Sequence, residues 1–291
     1  MTRTFSHFVG IDWSGAKGKR HAGLAIAVCP AGNEAPSIVA PPSGNKNWSR
    51  SEIGDWIAGG MELPSGTRAL IGIDSAFSLP FIDEGAYLPC EMLPDAAPDL
   101  WPFVDQKSAG AADLFAGPFV EAFADHYHRP SAKGKRYKRR MRVTETLAVT
   151  SGAGPCESVF HLIGPSQVGL SGLSTVRMLA RLHGQNGISI WPYEEPDGDT
   201  VLVEIYAAAF AKLGGHRGKI KGLDDLNTVL GSLNSQKMEA MPDTAREGEH
   251  AADAIVTAAG LRIIACERKY WHPDNLSTKV RRTEGWIFGI L

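Results

Sequence analysis

Hydrophobic positions over the first quarter of the chain fall in short, unbroken runs separated by polar turns. Residues 7–13, HFVGIDW, are apolar and β-branched, carry an acid near their end and run into Ser14-Gly15, the pattern of a buried strand opening into a loop. A glycine- and lysine-bearing turn at 16–20 leads to a second strand at 21–29, and a third at 37–40 runs into Pro41-Pro42. Short connections between the three predict an antiparallel meander. Ser49 or Ser51 then caps a helix through Trp56 and Ile57, with Glu52 in its first turn and Gly59-Gly60 at its end. Residues 68–74, RALIGID, form another buried strand that ends in an acid, so the order is β-β-β-α-β.

From residue 78 to 158 the pattern loosens and prolines are frequent as far as Pro102, as expected of a long insertion over the surface. Within it Phe115, Phe119, Phe123 and Tyr127 recur every four residues, which predicts one helix with an aromatic stripe packed on the core. Regular structure resumes with a strand at 159–163, a helix at 171–183 and a strand at 188–192. Residues 200–206, TVLVEIY, form a strong strand with an acid near its end. A short helix at 224–233, a long helix at 247–269 and a terminal strand at 285–290 close the chain, and there is no internal repeat.

Composition narrows the class. The chain has 291 residues, enough for a substantial core, and 43% apolar with 21% charged residues excludes wholesale disorder. A net charge of −2 hides an imbalance: the segment 129–142 holds eight basic residues and no acid. Cys29, Cys90, Cys156 and Cys266 lie far apart without a C-x-x-C pair, so they read as reduced, mostly buried thiols. With no secretory signal at the N-terminus and no run near the roughly 20 apolar residues that span a bilayer, the expectation is a cytoplasmic protein without a membrane partner.

The chemistry is in the acids. Asp12, Asp74 and Glu204 each stand near the end of an apolar strand. Singly, each reads more readily as a solvated or helix-capping group; gathered on one sheet edge, three like charges would call for a counter-cation. Mg²⁺, which takes oxygen ligands and keeps several waters, suits such an open carboxylate site. In the segment EHAADAIVTAAGLR, His250 and Asp253 share a helix face, and Ala251, Ala252, Ala254, Ala258 and Ala259 keep that helix slim enough to approach a sheet. Helix-start acids favoured by the macrodipole would account for Glu247 and Glu249, but less well for Asp253 inside the apolar pattern.

The strand-Asp at the start, the β-β-β-α-β order, the second strand-Asp and the late H-A-A-D-A helix resemble the ribonuclease H-like superfamily, the helix being especially similar to that of RuvC-type resolvases. More closely, VGIDWSG, IGIDSAFSLP, SVFHLIGPSQVGLSGL, IWPYEEPDGDTVLVEIY and EHAADAIVTAA resemble successive blocks of domain-of-unknown-function family 429, a family of predicted nucleases. The chain departs from that pattern at Ala207, where the family has proline, and His250 stands where many superfamily members have an acid. The resemblance implies an α/β fold: one ribonuclease H-like domain over 1–291, with a mixed five-stranded sheet flanked by helices and a large helical and loop insertion at about 78–158. It implies a metal-dependent nuclease that hydrolyses phosphodiester bonds of DNA or RNA by a two-metal mechanism. Asp12, Asp74, Glu204 and Asp253 would hold two Mg²⁺ or Mn²⁺ ions, His250 would be a further ligand or a proton carrier, and Glu52 is a fallback ligand.

The basic run suggests the surface for nucleic acid. Lys133, Lys135, Arg136, Lys138, Arg139, Arg140 and Arg142 could bind phosphates without sequence preference, and Tyr137 could stack on a base. A solvated loop, a localisation signal or a protein-partner segment are the alternatives. Lys17, Lys19 and Arg20, and Arg217, Lys219 and Lys221, form smaller basic groups expected on either side of the acidic edge. Arg142 and Glu145 are expected as an ordered pair near the site. Gln167 and Gly169 lie in a loop before a helix, either a plain turn or a phosphate cradle, and Trp191 and Trp286 read as packing residues. Two other function classes fit parts of the pattern. An actin-like kinase or ATPase also begins with strand-D-x-S-G but needs a second phosphate loop, and no second such block follows. A non-catalytic nucleic-acid-binding protein of the same fold would leave some of the acids dispensable.

Overall fold

In the computed structural model, residues 4–164, 168–242 and 247–291 are described. Six strands form one mixed sheet: β1 (His7–Asp12), β2 (Ala25–Pro30), β3 (Ser37–Ile38), β4 (Ala69–Asp74), β5 (Ile188–Ile190) and β6 (Thr200–Glu204), in the order β3-β2-β1-β4-β6-β5. The meander is present, with β2 antiparallel to both β1 and β3, whereas β1, β4, β6 and β5 run parallel. Ten α-helices are described: α1 (Arg50–Ala58), α2 (Ala97–Lys107), α3 (Gly117–Ala122), α4 (Val143–Thr150), α5 (Gly169–Leu182), α6 (Ala207–Leu213), α7 (Leu223–Ser232), α8 (Glu247–Ile264), α9 (Arg268–Trp271) and α10 (Thr278–Thr283).

The central strands are apolar along their length because both faces are covered. Ile71, Ile73 and Leu202 face one core with α1, α2 and α5, while Leu70, Val201 and Val203 face a second with α6, α7 and α8. The segment between β4 and α5 is not a separate unit. Its Phe77, Trp101, Phe119 and Tyr127 belong to the first of those cores.

Several expectations are corrected. The sheet has six strands, not five. Residues 159–163 and 285–290 form no strands: His161 and Ile287 make isolated bridges, to His128 and Glu204. The aromatic stripe is not one helix either. Asp113 and Leu114 take left-handed backbone (φ 47° and 57°), Phe115 is extended, and α3 begins only at Gly117-Pro118 and ends at Ala122. The rings still pack, Phe119 against Phe123 with centroids 4.9 Å apart. The long C-terminal helix stops at Ile264, and α10 lies where no helix was predicted. Trp191 and Trp286 are buried as expected. All four cysteines are free, but Cys90 and Cys266 are exposed rather than buried. Among the described residues no helix is long and apolar enough to cross a membrane.

Candidate active site

Parallel pairing of β1 with β4 puts Asp12 directly opposite Asp74 at the carboxyl end of both strands. Glu204 ends β6 on the same edge, beside Ile73. The fourth acid arrives on α8, and glycine makes that possible. Gly10 and Gly72 are register partners on β1 and β4, and a Cβ on Gly10 would lie 2.1 Å from the carbonyl oxygen of Ala254 and 2.8 Å from the nitrogen of Ala258. A helix faced with alanine therefore lies directly on a strand stripped of its side chain, with Ala251, Ala252, Ala254, Ala258 and Ala259 all buried. That close approach brings the start of α8 to the strand ends, where Nδ1 of His250 hydrogen-bonds Oδ2 of Asp12.

The electrostatics mark three carboxyls as a group. Burial first, then the charges of Asp12 and Asp253, hold Asp74 well above the ordinary carboxylate range, against the lowering effect of the Ala207 N–H. Burial and then Asp12 push Asp253 up to about 7, opposed by His250 and Lys219. Asp12 is also raised by burial, which outweighs its hydrogen bond and charge interaction with His250. The same hydrogen bond raises His250, whose ring is 41% exposed against 12% for the Asp12 side chain. Asp12 and Asp253 thus share one half-open imidazole, and Lys219 is the further cation felt by Asp253.

Glu204, expected as a fourth ligand, has a charge that also acts on Asp74, and it is in addition engaged by an arginine. Its two oxygens accept a fork of hydrogen bonds from Arg142, at 2.7 Å for Nη1 to Oε2 and from Nη2 to Oε1, and Oε2 also accepts from the N–H of Phe77 at 2.9 Å. Arg142 is 1% exposed and its remaining donors go to Glu145 and to the carbonyl of Glu284, so the expected Arg142–Glu145 pair is formed. Glu284, which no sequence signal marked, is fully buried and accepts N–H bonds from Phe81, Ile82 and Val143. A bidentate guanidinium already satisfies the Glu204 charge. A cavity of about 390 Å³ is lined by Asp12 and Asp74 together with Arg142, Glu145 and Glu204. Among the described residues no group of three or more His, Cys, Asp or Glu side chains is placed so that it could hold a metal ion.

The remaining expectations divide. Arg142 is buried and Arg140 nearly so, the latter held by Asp83 and by the carbonyls of Tyr87, Pro80 and Ala86. Neither guanidinium is a surface group, because each is spent inside the fold. Arg136 pairs with Glu91, Lys138 with Glu84 and Arg139 with Glu157, while Lys133 lies over the Tyr137 ring and Lys135 is exposed. Glu52 is drawn to Arg20 at 2.6 Å and to the N–H of Ser43 at 3.1 Å, away from the carboxyl group of three. Gly169 opens α5, buried against the Val159 carbonyl, and Gln167 lies outside the described residues. A clamp the sequence did not reveal holds the loop after Asp12. Arg50 is fully buried and donates to the carbonyls of Ser14 at 2.6 Å and Ala16 at 3.1 Å, and Asp113 accepts from the N–H groups of Arg50 and Ser51 and from His21.

Comparison with protein-family models, curated proteins and solved structures finds no match to this chain.

Proposed function

We propose that the chain is a divalent-metal-dependent nuclease of ribonuclease H-like fold, cutting phosphodiester bonds in nucleic acid at the Asp12, Asp74 and Asp253 edge. The observation that carries it is geometric: Asp12 and Asp74 are register partners at the carboxyl ends of β1 and β4, and α8, which carries Asp253, lies so close to β1 that its His250 hydrogen-bonds Asp12. The donor set suits Mg²⁺ or Mn²⁺. Such ions bind through one or two carboxylates and take their remaining ligands from water and substrate phosphate, so a ready-made cage of three is not required. The block-by-block resemblance to family 429 and the order β3-β2-β1-β4-β6-β5 agree with this reading.

Asp12 and Asp74, side by side on adjacent strands, would hold one ion, and Asp253 with Asp12 a second. Bound there, the ions supply Lewis acidity to a phosphoryl oxygen and to a water nucleophile. The chain's own groups do the rest. The hydrogen bond with Asp12 raises the pKa of His250, and the half-exposed ring can pass a proton between solvent and a leaving oxygen. Arg142 fixes Glu204 and thereby the end of β6 beside Ile73. The buried Arg50 holds the carbonyls at 14 and 16, so the chain leaving Asp12 has one course.

The test is cleavage of end-labelled DNA and RNA with Mg²⁺ or Mn²⁺, for the wild type and for Asp12→Asn, Asp74→Asn and Asp253→Asn. Cleavage that needs the ion and falls at least a hundredfold in each variant supports the proposal. Cleavage that survives intact in Asp12→Asn overturns it.

A further inference from the structure

The basic run at 129–142 is almost wholly neutralised by the protein itself. Six of its eight cations have carboxylate partners: Arg129 with Glu121, Arg136 with Glu91, Lys138 with Glu84, Arg139 with Glu157, Arg140 with Asp83 and Arg142 with Glu204. A phosphate entering there would have to break those pairs and sit against the acids they release. The run therefore braces the insertion and is a poor seat for a polyanion.

Two other loops have the opposite character. The β1–β2 connection leaves Asp12 and returns at Ala25, its register partner, so it stands at the carboxylate edge by topology. It carries Lys17 and Lys19, both exposed, and the chain has no acid between Asp12 and Glu34. Its far end touches the site: a Cβ on Gly23 would lie 3.5 Å from Nε2 of His250. The second loop follows α6. Residues 214–222, GGHRGKIKG, contain no acid, and Arg217, Lys219 and Lys221 are exposed. Lys219 donates to Glu249 on the first turn of α8 at 2.7 Å and its charge is felt by Asp253. Among the described residues the side chains of Lys17, Lys19, Arg217 and Lys221 meet no carboxylate.

We propose that the sugar–phosphate backbone of the nucleic acid is gripped by these two acid-free loops, Lys17 and Lys19 on one side of the carboxyl group and Arg217 and Lys221 on the other, and not by the 129–142 run. This rests on the nuclease proposal and adds the surface on which its substrate lies. Cations on both sides of an anionic site also offset the repulsion between the carboxyls and an approaching strand.

Binding is measured by fluorescence anisotropy with a labelled DNA of about 20 nucleotides, single-stranded and duplex, in EDTA so that nothing is cut, over a series of salt concentrations. Lys17→Ala/Lys19→Ala/Arg217→Ala/Lys221→Ala is compared with Lys133→Ala/Lys135→Ala/Arg136→Ala/Arg139→Ala; all are exposed positions, and an unchanged melting temperature confirms that both variants fold. Each phosphate contact contributes about 0.7–0.9 to the slope of log K against log salt. The loop variant is expected to flatten that slope by about 3, and the run variant by less than about 1. The reverse order, an unaltered slope in the loop variant, or no binding by the wild type at low salt overturns the inference. Ion-dependent cleavage together with a loop-independent slope removes this inference alone, whereas loop-dependent binding without any cleavage removes the nuclease proposal and leaves the binding surface standing.

Discussion

At the scale of single residues the carboxyls of the site are a cost to the fold without a cation. Asp12, Asp74 and Asp253 have folded-state pKa values raised above those of the unfolded chain, Asp253 to about 7. Between the ordinary carboxylate range and about pH 7 the folded protein therefore binds more protons than the unfolded one, and stability is lost as the pH rises through that window. Thermal melts in EDTA should show the melting temperature falling from about pH 4.5 to 8, a fall that Mg²⁺ reduces. Asp253→Asn should raise the metal-free melting temperature at pH 8 by about 2–5 °C and leave it nearly unchanged at pH 4.5, where the native carboxyl is already neutral. A drop at pH 8 would show that Asp253 is stabilised by its surroundings and not strained by them. Asp12 and Asp74 were legible in the sequence because each ends an apolar strand. Asp113, which caps α1 and meets His21, was not: it sits on left-handed backbone, in a segment without periodicity.

At the scale of elements the site depends on how near α8 lies to β1. The alanines of α8 could be read as a slim helix from the sequence, and the Gly10–Gly72 pair that accepts it follows from the register of β1 and β4. Gly10→Ala forces a methyl group against the Ala254 carbonyl and the Ala258 nitrogen, both backbone atoms that cannot rotate away. The expected loss is about 2–3 kcal/mol in urea denaturation, the scale of core overpacking. Because lifting α8 carries His250 and Asp253 with it, activity should fall even at temperatures where the variant is fully folded. Gly85→Ala, at an open turn position with φ 68°, should strain the backbone and reduce stability while leaving the metal requirement of cleavage unchanged. Elsewhere element boundaries shifted for local reasons. Gly117-Pro118 starts α3 within the aromatic repeat, so spacing by four did not give a single helix.

At the scale of the whole molecule Arg142 joins three distant parts of the chain: the insertion at α4, the end of β6 through Glu204, and the C-terminal segment through the Glu284 carbonyl. Removing it leaves Glu204 and Glu145 buried without their cation. Arg142→Ala is expected to cost about 3–5 kcal/mol at pH 7, measured by chemical denaturation. Adding Glu204→Gln to Arg142→Ala should recover part of that loss by removing one uncompensated charge. If the double variant is as unstable as the single one, the Glu204 charge is not what makes the loss large. In the sequence this arginine was one of eight cations in a run, with nothing local to mark it as buried. Whether a charge is free or spent depends on partners such as Glu204, 62 positions away.

The sequence by itself marked the six strands of the sheet and the helices α1, α5, α7 and α8, since apolar runs, caps and alanine spacing act over a few residues and need no distant partner. It also determined which acids end strands. Only the tertiary structure decided that Asp12 lies opposite Asp74 with His250 against it, that Glu204 is bound to Arg142, and that six cations of the longest basic run are paired with carboxylates while Lys17, Lys19, Arg217 and Lys221 are not. Those outcomes depend on pairings between residues far apart in the chain, and electrostatic energy follows distance in space and burial, which local sequence does not encode.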